Sequence, residues 1–319
     1  MFAGLYSKHV AVAKPSTSSA TEKARDHRNQ LFSEERARQS KLISRVEKIE
    51  VQVNGMPETC KLIMNKHFSS PYDCAKHLNK AILDYSALAL VNGELWDMHR
   101  PLCEDCNIKY LFFTDPDPQA PNDAYWRSCT FILGALIELS FKPEYQVLLH
   151  SWPQLNYETG SFVYDAYVNA EDWKPDVREK RVLSRIAMKQ IRDQNLKFER
   201  LDISIKLAQR MFQYNRFKLE QLESIAAKSK IPGTITVYRH GSHVDISRGP
   251  MISNSGQFGY YNVTNAILHN TDFGPLYRFQ GVSVPFTQRV NSWTWELVCK
   301  AAEEPSRQPL PIKRIQSAV

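Results

Sequence analysis

Two Asn-Gly pairs, Asn54-Gly55 and Asn92-Gly93, constrain the fold of residues 49–113 more than any other feature of the chain. Each pair lies between short segments with alternating or continuous apolar residues, and Asn-Gly is the strongest short-range signal for a β-hairpin because both residues tolerate positive φ. Between the pairs, "SPYDCAKHLNKAI" predicts a helix with Ser70 as its cap and Pro71 in its first turn. With "IKYLFF" as the last strand, the order β-β-α-β-β-β predicts a small β-grasp domain.

A second, larger domain of α+β type is expected after the Pro-rich acidic segment at 114–123, whose composition is typical of a linker. Over 124–300 the sequence predicts a buried helix at "DAYWRSCTFILGALIELSF", strands within "VLLHSWPQLNYETGSFVYDAYV", two basic helical stretches at roughly 177 to 230, and further strands from "TITVYRHGSHVDI". The two helical stretches are expected to break at 195–200. Residues 301–319 read as a basic tail that contains proline.

The N-terminal 48 residues suggest two different segments. Residues 1–20 contain no acid, two lysines and several hydroxyl side chains, which is the composition of a mitochondrial targeting leader and equally that of a disordered terminus. Residues 21–48 predict a helix that is polar almost all round. A helix of this kind usually bridges to something outside its own core, and either a protein or RNA fits its mixed charges.

Positive charge is concentrated in one part of the chain. The formal net charge is +7, and the segment 178–230 alone holds 14 Lys or Arg against 6 Asp or Glu. Such an excess indicates a polyanionic partner such as RNA, although a solvated helical face is the competing interpretation. Spacings of three or four residues place several cations on one helical face. The candidate RNA contacts are Arg25, Arg28, Lys180, Arg181, Arg185, Lys189 and Arg192.

Other reactive side chains give weaker signals. Cys103 and Cys106 have half of a zinc-site spacing without a second half, so we expect no metal. A nucleophile at Ser128 or Cys129 is less favoured than a core role, because no pattern identifies an imidazole partner. No glycine-rich phosphate loop is present, so no nucleotide cofactor is expected. No apolar stretch is long enough to span a membrane. Aromatic residues alternate with cations at Phe212, Tyr214 and Phe217, a mixture that suits RNA but is more typical of a core.

The motifs taken together resemble the N-terminal half of threonyl-tRNA synthetases. "LVNGELWDMHRPL" is similar to the signature of that family's β-grasp module, the TGS domain, and "RSCTFILGALI" aligns with the helix H-S-C-A-H-L-L-G-H-A-I that opens its editing domain. "ETGSFVYD" is similar to D-N-G-F-Y-Y-D, and "VDISRGPM" to V-D-M-C-R-G-P-H. The resemblance is collinear over roughly 49 to 290 and implies a TGS domain at 49–113 followed by an editing-like domain.

The same resemblance implies that the editing chemistry is gone. The family hydrolyses mischarged seryl-tRNA with two histidines on the helix and a cysteine and a histidine on the loop, and this chain has Arg127, Phe131, Ser247 and Met251 at those four positions. Asp245 and Lys218 keep family positions, and we expect them to pair with each other. Phe131 and Met251 cannot exchange a proton, so neither can activate water. Both are also expected to fill the cleft with apolar volume.

The resemblance does not extend to the synthetase's aminoacylation domain, so we expect this chain not to charge tRNA. This combination resembles a family of synthetase-derived proteins in the large subunit of the mitochondrial ribosome. It implies a non-catalytic protein in the mitochondrial matrix whose partners are large-subunit rRNA and neighbouring ribosomal proteins, with no small-molecule substrate. The alternatives are a free-standing deacylase that acts on mischarged tRNA, and a regulatory TGS protein outside ribosomes.

Overall fold

The computed structural model of the protein describes residues 19–55, 59–154, 156–170, 173–192 and 194–313. The predicted leader therefore lies outside the described residues except for its last two positions, as do residues 314–319 of the predicted tail. The N-terminal helix α1 (Ala20–Lys41) begins at Ser19, whose hydroxyl accepts a hydrogen bond from the backbone NH of Glu22 at 3.0 Å. It ends seven residues before the predicted boundary at 48, because the chain turns at Leu42 and a strand begins at Lys48.

The β-grasp prediction is confirmed by a five-stranded sheet of order β2-β1-β5-β3-β4, in which β1 and β5 are parallel and the other pairs antiparallel. Its elements are β1 (Lys48–Val53), β2 (Cys60–Asn65), α2 (Pro71–Lys76), α3 (Lys80–Tyr85), β3 (Ser86–Val91), β4 (Glu94–Trp96) and β5 (Cys106–Phe112). Asn92 and Gly93 have φ of 49° and 83°, as the hairpin turn requires. Ser70 and Asp73 form a capping box at α2, which confirms the predicted cap, but the single predicted helix is divided into α2 and α3. At the other Asn-Gly pair only Gly55 has a positive φ, of 122°.

The second domain contains a four-stranded sheet of order β11-β12-β7-β6 and a three-stranded sheet of order β10-β9-β8. Its elements are α4 (Gln119–Ser140), β6 (Val147–Ser151), β7 (Phe162–Val168), α5 (Val177–Ile186), β8 (Glu199–Ser204), α6 (Ile205–Met211), α7 (Arg216–Ala227), β9 (Thr234–His240), β10 (His243–Ile246), β11 (Phe258–Thr271), β12 (Gly274–Pro285) and α8 (Ser292–Ala301). Helix α4 starts inside the predicted linker, at Gln119. Helix α5 continues as a π-helix over Ala187–Arg192.

The predicted break at 195–200 between two helical stretches is present, but it contains a strand that was not predicted, because β8 occupies Glu199–Ser204 between α5 and α6. Leu201 and Ile203 of β8 point into an apolar core, while their neighbours along the strand are more exposed. The strand exists because it pairs antiparallel with β9, from Glu199 opposite Arg239 to Ser204 opposite Thr234. This partner is distant in sequence, so local charge and periodicity gave no indication of it.

Helix α1 packs on its own chain through a few buried residues, and the outside partner expected for its other faces remains a prediction. Leu31 and Phe32 are buried in the core of the three-stranded sheet, and the Arg239 guanidinium lies 4.5 Å from the centre of the Phe32 ring. Gln39 donates to the backbone carbonyl of Asp202 at 2.9 Å. Two adjacent apolar residues and long polar side chains thus fix the helix without a broad apolar stripe.

The segment predicted as a basic tail is tied to the four-stranded sheet as far as residue 313. The buried Gln280 side chain donates to the carbonyl oxygens of Ala302 and Glu304, each at 2.7 Å. Arg278 is ion-paired with Asp165 at 2.7 Å and also donates to the carbonyl of Pro309 at 2.9 Å. These contacts fix residues 302–309 across β12. No helix in the described part of the chain is both long and apolar enough to cross a membrane.

Candidate functional site

The structure brings the N-terminal half of α4 against the loop at 247–251, so the four positions inferred from the synthetase resemblance lie in one place. The Ser128 hydroxyl joins the two segments: it donates to the carbonyl of Ala124 at 2.7 Å and accepts from the backbone NH of Ile252 at 3.1 Å. Arg127 donates to the carbonyl of Pro250 at 2.7 Å. Ser128 therefore has a structural role, as the core interpretation expected.

The four side chains at those positions are buried. Phe131 and Met251 have no exposed surface, Ser247 is 6% exposed and Arg127 is 9% exposed. The Phe131 ring packs edge-on against His243, with ring centres 4.9 Å apart. The Ser247 hydroxyl accepts from the backbone NH of Gly249 at 3.3 Å. The place where the resemblance puts imidazoles and a thiol is thus occupied by packed apolar side chains and internal hydrogen bonds.

Lys218 and Asp245 form a buried ion pair, which confirms the expectation that they pair with each other. Lys218 Nζ lies 2.7 Å from Asp245 Oδ1, and the two side chains are 3% and 1% exposed. The Tyr164 hydroxyl donates to the other carboxylate oxygen at 2.5 Å and accepts from Lys218 at 3.1 Å. Burial and then Asp245 raise the pKa of Tyr164, so its hydroxyl stays protonated as a donor. Each charge is neutralised inside this triad.

A second buried charge cluster corrects the assignment of Arg28 as an RNA contact. Arg28 is 5% exposed and its guanidinium lies 2.5 Å from Glu138 Oε1, while His243 Nδ1 lies 2.7 Å from Glu138 Oε2. Burial works against ionisation of Glu138, but Arg28 and then His243 lower the pKa of its carboxyl group to about 2. Arg28 therefore anchors α1 to α4 and is not available to an external polyanion.

Asp97, the acid that ends the "VNGELWD" motif, links the two domains, and sequence reasoning gave it no role. Its carboxylate accepts from the Tyr238 hydroxyl at 2.9 Å and from the backbone NH of Met251 at 2.8 Å, and Arg200 lies 3.7 Å away.

Gly249 lies beside the Tyr238 hydroxyl, and its position requires a glycine. Its φ is +64°, and a Cβ there would lie 1.9 Å from the Tyr238 hydroxyl oxygen.

Cysteine chemistry is not supported by the geometry. All six cysteines are free, Cys103 is exposed, and Cys106 is buried at the start of β5, where burial raises the pKa of its thiol to about 11. Cys129 is fully buried in α4, and burial raises the pKa of its thiol. A thiol held protonated in this way is a poor nucleophile. Among the described residues, no three His, Cys, Asp or Glu side chains are arranged to hold a metal ion.

Comparison with known proteins decides the family. Residues 61–111 match the TGS domain family. The chain is 40% identical over 287 residues to the large ribosomal subunit protein mL39 of Drosophila melanogaster, and this alignment covers 89% of the chain and 85% of the fly protein. The chain belongs to the mL39 family. The family match of the TGS domain falls within the five-stranded sheet that runs from Lys48 to Phe112.

Cytoplasmic threonine-tRNA ligases are more distant relatives of this mL39-family chain. It is 34% identical over 229 residues to cytoplasmic threonine-tRNA ligase 2 of Bos taurus, and 31% identical over the same length to cytoplasmic threonine-tRNA ligase 1 of Homo sapiens. Each alignment covers 70% of the chain but only 29% of the ligase. The expected synthetase similarity is therefore confirmed, for a minor part of the synthetase length.

The cations selected for RNA contact in the mL39-family chain have different environments. Arg181 and Arg185 of α5, and Lys189 of the π-helix that follows, are exposed, while Lys180 is half-buried. Val182, Leu183 and Ile186 pack into the core on the other side of α5. Arg25 of α1 is 12% exposed and lies 3.9 Å from Glu22, and the side chain of Arg192 lies outside the described part of the structure.

The aromatic and basic residues of α6 and α7 also separate into two groups. Phe212 and Phe217 are each 2% exposed and belong to the core, as does the paired Lys218. Tyr214 is 57% exposed. Helical periodicity could not separate these groups, because Tyr214 lies between α6, which ends at Met211, and α7, which begins at Arg216.

Proposed function

We propose that this chain is a non-catalytic structural component of the large subunit of the mitochondrial ribosome, located in the matrix, with an editing-like site that has lost its chemistry. The observation that carries the proposal is the complete burial of Phe131 and Met251 where α4 meets the loop at 247–251. Membership of the mL39 family supports the ribosomal assignment, since the fly relative is named as a large-subunit protein.

The buried groups explain why water is not activated here. General base catalysis needs a group that accepts a proton near neutral pH within hydrogen-bonding distance of the water. Phe131 and Met251 cannot accept one, and Arg127 remains an obligate donor whose guanidinium is used by the Pro250 carbonyl. Asp245 is an acceptor, but Lys218 and Tyr164 already bind both of its oxygens. Among the described residues, the hydrogen bonds of this site join its own side chains and backbone.

The proposed partners are large-subunit rRNA and neighbouring ribosomal proteins. For rRNA, the exposed residues Arg181, Arg185 and Lys189 project from an element whose opposite side is core, so their charges are directed to solvent. Exposed guanidinium groups are well suited to phosphate oxygens because of their planar, forked geometry. Residues 1–20, with their acid-free composition, are proposed as the signal that delivers the protein to mitochondria.

Gradient sedimentation of a mitochondrial lysate tests this proposal. We expect the endogenous protein to co-migrate with the large ribosomal subunit and to stay with it when the two subunits are separated at low magnesium. Recovery of the protein only in the soluble fractions at the top of the gradient would contradict the structural role and favour a regulatory TGS protein outside ribosomes.

A further inference from the structure

The turn between α6 and α7 presents an exposed tyrosine among cations. Tyr214 has the largest exposed fraction among the aromatic residues of α6, α7 and their connection, and Lys206, Arg210 and Arg216 beside it in sequence are exposed as well. From Ile203 to Leu219 the chain has no Asp or Glu. Lys218, the remaining cation of this stretch, is neutralised by Asp245 in the core. The exposed charged side chains of this stretch are therefore all basic, and the exposed ring of Tyr214 lies among them in the sequence.

The turn that carries Tyr214 is fixed by the hydrogen bonds of Asn215 and by two buried rings. Asn215 caps α7: its side-chain oxygen accepts from the backbone NH groups of Phe217 and Lys218 at 3.1 and 3.2 Å, and its amide donates to the carbonyl of Leu149 at 2.8 Å. Phe212 and Phe217 bury their rings on either side of the turn. Tyr214 is thus held in place while its own ring remains at the surface, which reduces the entropy lost on binding.

Helix α1 supports the ring from the side. His27 packs against Tyr214 with ring centres 5.4 Å apart and planes at 79°, and His27 Nε2 lies 3.1 Å from the carbonyl oxygen of Arg210 and 3.3 Å from Gln213 Nε2. Lys206 and Arg210 lie four residues apart on α6, so they share a face that leads to the turn. Arg216 begins α7, and its guanidinium lies 6.0 Å from the centre of the Tyr167 ring.

We infer that Tyr214 is a stacking platform for an unpaired RNA base, with Lys206, Arg210 and Arg216 as contacts for the adjoining phosphates. Aromatic rings flanked by cations bind single-stranded RNA because the ring stacks on a base of any sequence and the cations neutralise the backbone. A protein partner is less well matched, since it would have to supply acids opposite three cations. The inference deepens the proposed function and rests on its RNA-binding part.

The experiment measures binding of the full-length protein to rRNA extracted from mitochondrial large subunits. We expect Tyr214→Ala to weaken binding about ten-fold, in the range of one lost base stack, while Tyr214→Trp binds like the wild type. The double variant Arg210→Gln with Arg216→Gln should lower the slope of log affinity against log salt by about two. Tyr260→Ala, at a tyrosine 42% exposed on β11, and Arg289→Gln, at an exposed arginine, are the matched controls and should have no effect.

Other results overturn the inference. If Tyr214→Leu binds as tightly as the wild type, the ring supplies only apolar surface and stacking is wrong. If Tyr214→Ala binds rRNA normally but no longer co-sediments with the large subunit, this surface contacts a protein instead. Absence of rRNA binding by the wild type also overturns the inference, and co-sedimentation then decides separately whether the structural role stands. Unchanged thermal midpoints of the variants ensure that binding, and not folding, is measured.

Discussion

The editing-like cleft and the surface formed by α5, α6 and α7 use charged side chains in opposite ways. In the cleft, Lys218 and Asp245 neutralise each other inside the protein, and Arg28 does the same with Glu138. On the surface, Arg181 and Arg210 belong to the same basic segment of the sequence but remain exposed. The basic residues of a sequence therefore fall into two groups. Only their burial in the structure distinguishes the cations that stabilise the fold from those available to a partner.

The largest effect is expected from breaking the buried pair. Asp245→Ala should lower the free energy of unfolding by about 3 to 5 kcal/mol, because Lys218 would remain buried without its counter-charge. Urea unfolding of the purified protein measures this. The double variant Lys218→Met with Asp245→Leu should recover much of the loss, since replacing a buried ion pair by apolar groups is often neutral. If the single and double variants are equally unstable, the loss in Asp245→Ala does not come from the unpaired charge of Lys218.

Gly249→Ala should be the next most destabilising change, by about 3 kcal/mol. An alanine there combines left-handed backbone strain with displacement of the Tyr238 hydroxyl from Asp97. Gly233→Ala is the control, because Gly233 also has a positive φ of 75° but a Cβ added there would meet no atom within 4 Å. It should cost only the backbone strain, about 1 kcal/mol. Thermal unfolding measures the loss of stability in each variant. Equal losses in Gly249→Ala and Gly233→Ala would show that the contact with Tyr238 adds nothing to the backbone strain.

The protein should also lose stability in acid through His240 of β9, which is 4% exposed and packs against Phe198. Burial and then His243 lower the pKa of His240 to about 3. The unfolded state binds a proton at His240 near pH 6.5, whereas the folded state does not. The free energy of unfolding is therefore unaffected by His240 above pH 6.5, and it decreases as the pH falls from 6.5 towards 3. His240→Phe should reduce the dependence of the unfolding free energy on pH between 6 and 4 by up to about 1.4 kcal/mol per pH unit. If the unfolding free energy of His240→Phe depends on pH as strongly as that of the wild type, groups other than His240 cause the loss of stability in acid.

The smallest effect on stability is expected on the surface. Arg181→Gln with Arg185→Gln should change the free energy of unfolding by less than about 0.5 kcal/mol, as is usual for exposed positions. The same variant should lower the slope of log affinity for rRNA against log salt by about two, because two phosphate contacts are lost. Lys109→Gln with Lys300→Gln, at exposed lysines of β5 and α8, is the control. If both double variants give the wild-type slope, α5 does not contact phosphate.

The sequence indicated the features whose signals are local or belong to a family motif. The Asn-Gly hairpin at 92–93 and the cap at Ser70 depend on neighbouring residues, and the pairing of Lys218 with Asp245 followed from the synthetase resemblance. The burial of Arg28 depends on Glu138, 110 residues away, and the Asp97 link depends on Tyr238, 141 residues away. No periodicity reports contacts at such separations, so the polar pattern of α1 did not indicate that Arg28 is buried.

A deacylation assay tests the central claim, that a cleft with the shape of an editing site is a packed core. Purified full-length protein is incubated with seryl-tRNA that carries the threonine anticodon, beside a buffer control and an active threonyl-tRNA synthetase editing domain. With Phe131 and Met251 filling the site, we expect serine release no faster than in buffer. Serine release by the wild-type chain clearly above the buffer control would contradict the account and identify the protein as a free-standing deacylase.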